Sequence, residues 1–340
     1  MKFSSNSVEV ENSTEAVYEL FLSNNWGDGL PIIPPTEEAV SQMLSGTKRS
    51  PGEVVALVAP SWAEATIEKI AINAVMAGCR AEYLPIIITA VEAACEEKLN
   101  LYAIQTTTHP ASILLIVNGP IRNELNINSK SGVFGPGWRS NATIGRAIRL
   151  VLMNIGGALP GINDMSTQGQ PCKYTFCIAE NEEDSPWMPL HLEKGFNASD
   201  STVTVVPAEN PHNINDHCAT NGEELLNTLV YTLPTMGNND ILLQHGEPII
   251  ALGVEHANTL FDSGYSKNDI RSYIYNNARL PRRSFIDNAI KRYYSDFSDD
   301  SLIPIASEED ITIIVTGGAG KHSSFLPTFG RCHSVTRLIK

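Results

Sequence analysis

A recurring unit constrains this chain most: a short apolar strand, a polar or glycine-rich elbow, then a helical pattern. It occurs at residues 54–76, 202–230 and 249–262. A strand that feeds a helix through a short elbow must lay that helix back on its own sheet, which favours α/β architecture. Further strand-like runs are Ile113 to Val117, Tyr174 to Ala179 and Ile311 to Thr316. Helical patterns fall at 13–25, 36–44, 64–77, 84–97 and 142–153. The expected fold is α/β, with mixed or partly parallel sheets and flanking helices. The polar stretch Asn197 to Ser201 suggests two related or packed α/β domains, 1–198 and 199–340.

Charge narrows the function classes. The chain has 24 Lys+Arg against 38 Asp+Glu, a formal net charge of −14, and no basic patch. Nucleic acid and anionic membrane surfaces are therefore disfavoured partners. Only 18% of residues are charged, below the roughly 25% of an average soluble domain, which suggests extensive burial, subunit contacts of a homo-oligomer included. The segment Met1 to Thr14 lacks the apolar core of a signal peptide, and the greasiest runs, Leu84 to Ala94 and Ile113 to Val117, are too short to span a bilayer. Six cysteines without a CxxC pair read as thiols of a cytoplasmic protein, with Cys79 and Cys95 in the core.

Ligands of open α/β sheets meet the carboxyl ends of strands. Four of the eight histidines, His109, His212, His256 and His322, lie in elbows. The run Gly132-Val133-Phe134-Gly135-Pro136-Gly137-Trp138-Arg139-Ser140-Asn141 is an anion-binding candidate. Its glycines permit tight turns, and Ser140 or Asn141 can cap the following helix, whose free N–H groups favour anions. Arg139, Arg146 and Arg149 follow closely; they serve either an anionic ligand or internal ion pairs. A second run, Gly317-Gly318-Ala319-Gly320-Lys321-His322, resembles a phosphate loop but does not match GxxxxGK[ST], so nucleotide hydrolysis is disfavoured. No GxGxxG follows a strand, and no cofactor is recognisable. For metal, the weak alternative is His212, His217 and Glu209, without HExxH or HxH support. Asp28, between two glycines, Glu64, at a helix start, and Asp164, Glu180, Glu182 and Glu183 are acid–base candidates beside His109, because an imidazole suits proton transfer near neutrality; the run Glu180 to Asp184 reads equally as a solvated charge run.

Several motifs resemble a bacterial family marked by GDGLPxxPPT near the N-terminus. They are Gly27-Asp28-Gly29-Leu30-Pro31 with Pro34-Pro35-Thr36, Thr107-Thr108-His109-Pro110, Asn118-Gly119-Pro120, Asn141-Ala142-Thr143-Ile144-Gly145-Arg146 and Ala179-Glu180-Asn181-Glu182. The resemblance covers about residues 26–196. It implies association with a small protein bearing a cysteine- or selenocysteine-containing UGSC motif, and no particular reaction. This chain has no Cys-Gly-Ser-Cys, so such a redox group would come from the partner.

The resulting expectation is an enzyme, a hydrolase or lyase, that cleaves a bond in a small anionic organic molecule by acid–base chemistry. His109, Glu64 and Asp28 would be catalytic. Arg139, Arg146, Ser140, Asn141, Gly135, Gly137 and Lys321 would bind substrate. The alternatives are a substrate-binding subunit of a thiol- or selenol-dependent redox system, in which Cys79 or Cys177 could itself react, and a non-enzymatic ligand-binding or assembly protein.

Overall fold

The computed structural model describes residues 3–243 and 245–340. Twelve short strands are present among them: β1 (Val54–Val58), β2 (Ala63–Thr66), β3 (Ser112–Asn118), β4 (Cys177–Ala179), β5 (Thr202–Ala208), β6 (His212–Asn215), β7 (Ile249–Leu252), β8 (Arg279–Pro281), β9 (Leu302–Pro304), β10 (Thr312–Val315), β11 (His322–Leu326) and β12 (Val335–Leu338). Two four-stranded sheets dominate, ordered β12-β5-β3-β4 and β10-β7-β11-β6, while β1/β2 and β8/β9 are separate antiparallel hairpins. Helices flank both large sheets, so the chain is α/β with mixed sheets.

Alternation of side chains along the strands builds four layers. Leu115, Val117, Val203 and Val205 point outward onto the helices Ile67–Ala77, Leu84–Ala94 and Arg139–Asn154. Ile250, Leu252, Ile313 and Phe325 do the same under Gly222–Thr232, Val254–Asp262 and Lys267–Asn277. The intervening residues Leu114, Ile116, Ile178 and Val206 meet Ile249, Ala251, Ile314 and Leu326 between the sheets. Each fully buried Leu, Ile or Val contributes about 1.5–3 kcal/mol of transfer free energy.

The sheets share one pairing plan. In the first, a row of paired residues runs Cys177, Leu115, Val205, Val335. In the second, the matching row runs Ile313, Ile250, Phe325, His212. In each sheet the outer ladder is parallel and the next two are antiparallel. The chain therefore contains two structural repeats, and each gives its last strand to the other sheet. β6 follows β5 but joins the second sheet; β12 follows β11 and returns to the first. The crossing is symmetric. Matching residues Ala208 and Thr328 form an antiparallel bridge, with Glu209 N donating to Pro327 O at 2.8 Å and Phe329 N to Pro207 O at 3.0 Å. The division expected near residues 198–200 thus falls inside one sheet, because β5 pairs with β3 across it.

Two local expectations change. Residues 63–66 form β2 rather than the first turn of a helix, which begins at Ile67 after the Thr66 cap. Tyr174 precedes β4, which is confined to Cys177–Ala179. Among the described residues no helix is long and apolar enough to cross a membrane.

Candidate functional site

The two glycine-rich runs, nearly two hundred positions apart in the sequence, meet at the end of the second sheet. Gly317 N donates to Ser129 O at 2.8 Å, and the Thr316 hydroxyl donates to the same carbonyl at 3.0 Å. A Cβ on Gly318 would lie 2.7 Å from the Ser131 Cβ, so the second run needs glycine to approach the first. Gly317 and Gly320 also have positive φ, +98° and +125°, where side chains are strained. Between the runs lies a pocket of about 310 Å³, lined by Gly132, Gly135, Gly317, Gly318, Asn213 and His322 among others. Among the described residues no lysine or arginine lines it. Ligand polarity must be met by backbone groups, hydroxyls, an amide and an imidazole.

Ser140 and Asn141 shape that pocket without entering it. The Ser140 hydroxyl donates to Asn126 O at 2.6 Å. Asn141 accepts from Asn128 N at 2.8 Å and donates to Asn128 O and Cys177 O. The buried helix start thereby braces the segment leading to Ser131. The helix begins at Arg139 after Trp138, so Ser140 and Asn141 lie inside its first turn and position the loop instead of capping the helix. Gly135 lines the pocket, whereas Gly137 does not.

One imidazole, His322, stands at the pocket wall. His322 Nδ1 is 3.0 Å from Asn213 Oδ1, and an amide oxygen only accepts, so Nδ1 carries the proton. The lone pair of neutral His322 Nε2 then faces His217 Nε2, 3.2 Å away, which donates. His217 is held by the turn after β6, where the Asp216 carboxylate accepts from Cys218 N and Ala219 N. His256 lies on the sheet's other face, bonded to the Ser323 hydroxyl at 2.8 Å and close to Asp216 O at 3.1 Å. Burial holds His256 below the usual imidazole range, favouring its neutral form. Lys321 also points away, donating to Ala219 O at 3.2 Å, and so is not a pocket residue.

His109 lies near the opposite end of β3. Its Nε2 donates to Glu209 Oε1 at 2.8 Å, while Nδ1 accepts from Ala111 N at 3.1 Å. Both nitrogens are engaged, so the free proton acceptor of this pair is the Glu209 carboxylate. Glu209 and His212 line a second pocket of about 380 Å³. Beside it, Asp240 accepts a 2.6 Å bond from the Thr328 hydroxyl, and burial pushes its carboxyl up to about 8.

The other expected residues serve elsewhere. Glu64 is exposed on β2 and does not pair with His109. Asp28 is locked in a bidentate pair with Arg146, at 2.7 and 2.8 Å, and Arg146 also donates to Pro31 O at 2.9 Å. The pair pins the Gly27–Pro31 loop to the long helix. Arg139 is exposed and donates to Gly78 O at 3.0 Å, closing another helix. Arg149 and Lys173 share Asp164; burial pushes that carboxyl up, but the Lys173 and Ser166 hydrogen bonds and Arg149 charge leave it lowered. The arginines are thus committed to internal pairs or helix closure. His217 turns to His322 and leaves His212 and Glu209 at the second pocket, so the expected metal trio does not assemble. The cysteines are free; burial pushes Cys79 to about 12 and Cys177 upward, which opposes a reactive thiolate at either.

At the matching end of the first sheet, Asn118, Glu180 and Thr202 occupy the places of Gly253, Thr316 and His322. They are shut off from solvent. Asn118 Nδ2 donates to Glu180 at 2.6 Å and Glu182 at 3.0 Å, and Arg122 grips Glu183 through two nitrogens. Burial raises the Glu180 carboxyl. Asn118 Oδ1, Glu180 Oε1, Thr202 Oγ1 and both His191 nitrogens have no hydrogen-bond partner among the described residues.

Sequence reasoning missed Asn213 and Ser131, and it weighed Glu180, Glu182 and Glu183 as acid–base carboxylates without showing that they close the end of the first sheet. No family model, curated protein or solved structure matches the chain.

Proposed function

We propose that this protein is an enzyme that binds a small anionic organic molecule in the glycine-lined pocket and cleaves it by acid–base chemistry. The observation carrying this reading is the meeting of two glycine runs around a 310 Å³ space with His322 on its wall, hydrogen-bonded to His217 behind it. Backbone N–H groups of a glycine nest can hold the anion. His322, fixed by Asn213, exchanges the proton, and His217 relays it outward. A proton taken up by the pair is balanced by the bound anion. This assigns proton transfer to His322, which lines the glycine-walled space, in place of His109, which lies near the opposite end of β3 and does not line it. The free thiols fit a cytoplasmic setting. Elevated Cys79 and Cys177 favour the partner-dependent form of the redox alternative over one using these thiols.

Thermal unfolding of the full chain with a panel of small carboxylates and phosphate esters tests the reading. At least one class is expected to raise the melting temperature of the native chain and to lose that effect in Gly318→Ala. Product analysis with the stabilising compound should then show cleavage that His322→Ala slows at least a hundredfold. No stabilisation by any anion, or equal stabilisation of Gly318→Ala, would sink it.

A further inference from the structure

Outside both pockets, Glu247, Asp310 and His333 bring one carboxylate, a second carboxylate and an imidazole together, with their ligand atoms all within 4.8 Å of one another. They come from three separate places in the fold: just before β7, just before β10, and just before β12. We propose that this trio is a binding site for one divalent first-row metal ion, with zinc as the best-suited probe.

The donors are prearranged. Ser334 N donates to Glu247 Oε2 at 2.8 Å, which leaves Oε1 turned toward His333 Nδ1 at 2.9 Å. Two donors each about 2.1 Å from a tetrahedral ion are about 3.4 Å apart, so this nitrogen and oxygen need to part by about 0.5 Å to admit it. A metal can therefore replace the proton between this nitrogen and oxygen with little movement. His333 is anchored through its backbone N–H, which donates to Lys98 O at 2.9 Å. The Asp310 carboxylate has no hydrogen-bond or ion-pair partner among the described residues. Glu247 and Glu309 crowd it with like charge, opposed by His333 and His245. A cation relieves that crowding. One imidazole with two carboxylates suits zinc or its neighbours; calcium prefers six to eight oxygens.

The position gives the ion a task. β7 and β10 are parallel neighbours in the second sheet, whereas β12 has crossed to the first. An ion held by all three approaches ties the crossing strand to the sheet its repeat has left.

The full chain, stripped with a chelator and dialysed, would be titrated with Zn²⁺ by calorimetry, with Ca²⁺ as control. The expected result is one Zn²⁺ per chain, no comparable Ca²⁺ binding, and a higher melting temperature with Zn²⁺. Asp310→Asn, which breaks no hydrogen bond, and His333→Ala should each weaken Zn²⁺ at least about tenfold. Circular dichroism of both variants verifies that they are folded. Absence of stoichiometric Zn²⁺ binding overturns the proposal. So does binding that survives both substitutions, or that is lost only with His217→Ala at the glycine pocket.

Discussion

At the end of the first sheet Asn118, Glu180 and Thr202 are sealed away from solvent, while at the matching places of the second Gly253, Thr316 and His322 line a pocket. The same contrast continues one row inward. Thr204 and Thr336 bond to each other at 2.9 Å in the first sheet; their counterparts Ser324 and Asn213 face the pocket, where Asn213 holds His322. The backbone frame is shared, so side-chain size and charge decide between a lock and a cleft. Glycines leave room in one case. In the other, carboxylates and Arg122 fill it at the cost of several unmet hydrogen bonds.

Removing the guanidinium should do most to break this contrast. Arg122→Ala leaves Glu182 and Glu183 without their cation next to buried Glu180, and should cost about 3–5 kcal/mol in urea unfolding. A loss below about 1 kcal/mol would mean that the closed end does not lock the first sheet. Filling the open end is the next largest change. Gly318→Ala should lower stability by about 1–3 kcal/mol through crowding against Ser131 while the chain stays folded. Near-neutral stability together with an intact anion response would show that the runs do not need close contact.

A smaller effect is expected at the paired hydroxyls. Thr336→Val should cost about 1 kcal/mol by equilibrium unfolding, the net worth of one hydrogen bond. It should leave the anion response unchanged. The smallest effect is electrostatic and confined to acid. Hydrogen bonding to Arg122 holds the Glu183 carboxyl at about 2, well below the ordinary glutamate value of 4.5. Its stabilisation is full above the unfolded value and is lost as pH falls through 4.5 towards 2. Glu183→Gln should therefore flatten the stability curve between pH 5 and pH 2, only slightly, because Glu183 is nearly half exposed. An unchanged slope would remove Glu183 from the lock.

Much of the frame was legible because local rules wrote it. The apolar run Ile113 to Val117 and the β-branched run at 202–206 emerge as β3 and β5, each two residues longer. β6 was not legible: His-Asn-Ile-Asn is mostly polar, and it is a strand because β11 offers it a ladder. The exchange of β6 and β12 depends on pairing between distant segments, which periodicity does not record. The site followed the same division. Both glycine runs stood out by composition, yet their contact depends on Ser131 and Gly318 meeting in space. Asp28 and Arg146 were each conspicuous as candidates, and across 118 positions nothing announced that they would neutralise one another.

The exchanged strands also govern how the molecule is made. During synthesis the first sheet can gather β3, β4 and β5, but its edge stays bare until residues 335–338 leave the ribosome and fold back. Until then β5 offers an unpaired ladder to any neighbouring chain, the situation in which misassembly arises. Contacts so distant in sequence slow folding, and neither half can be peeled away without opening both sheets. Newly made protein should pass through a vulnerable interval, then close in a single late step that makes the finished fold hard to undo piecemeal.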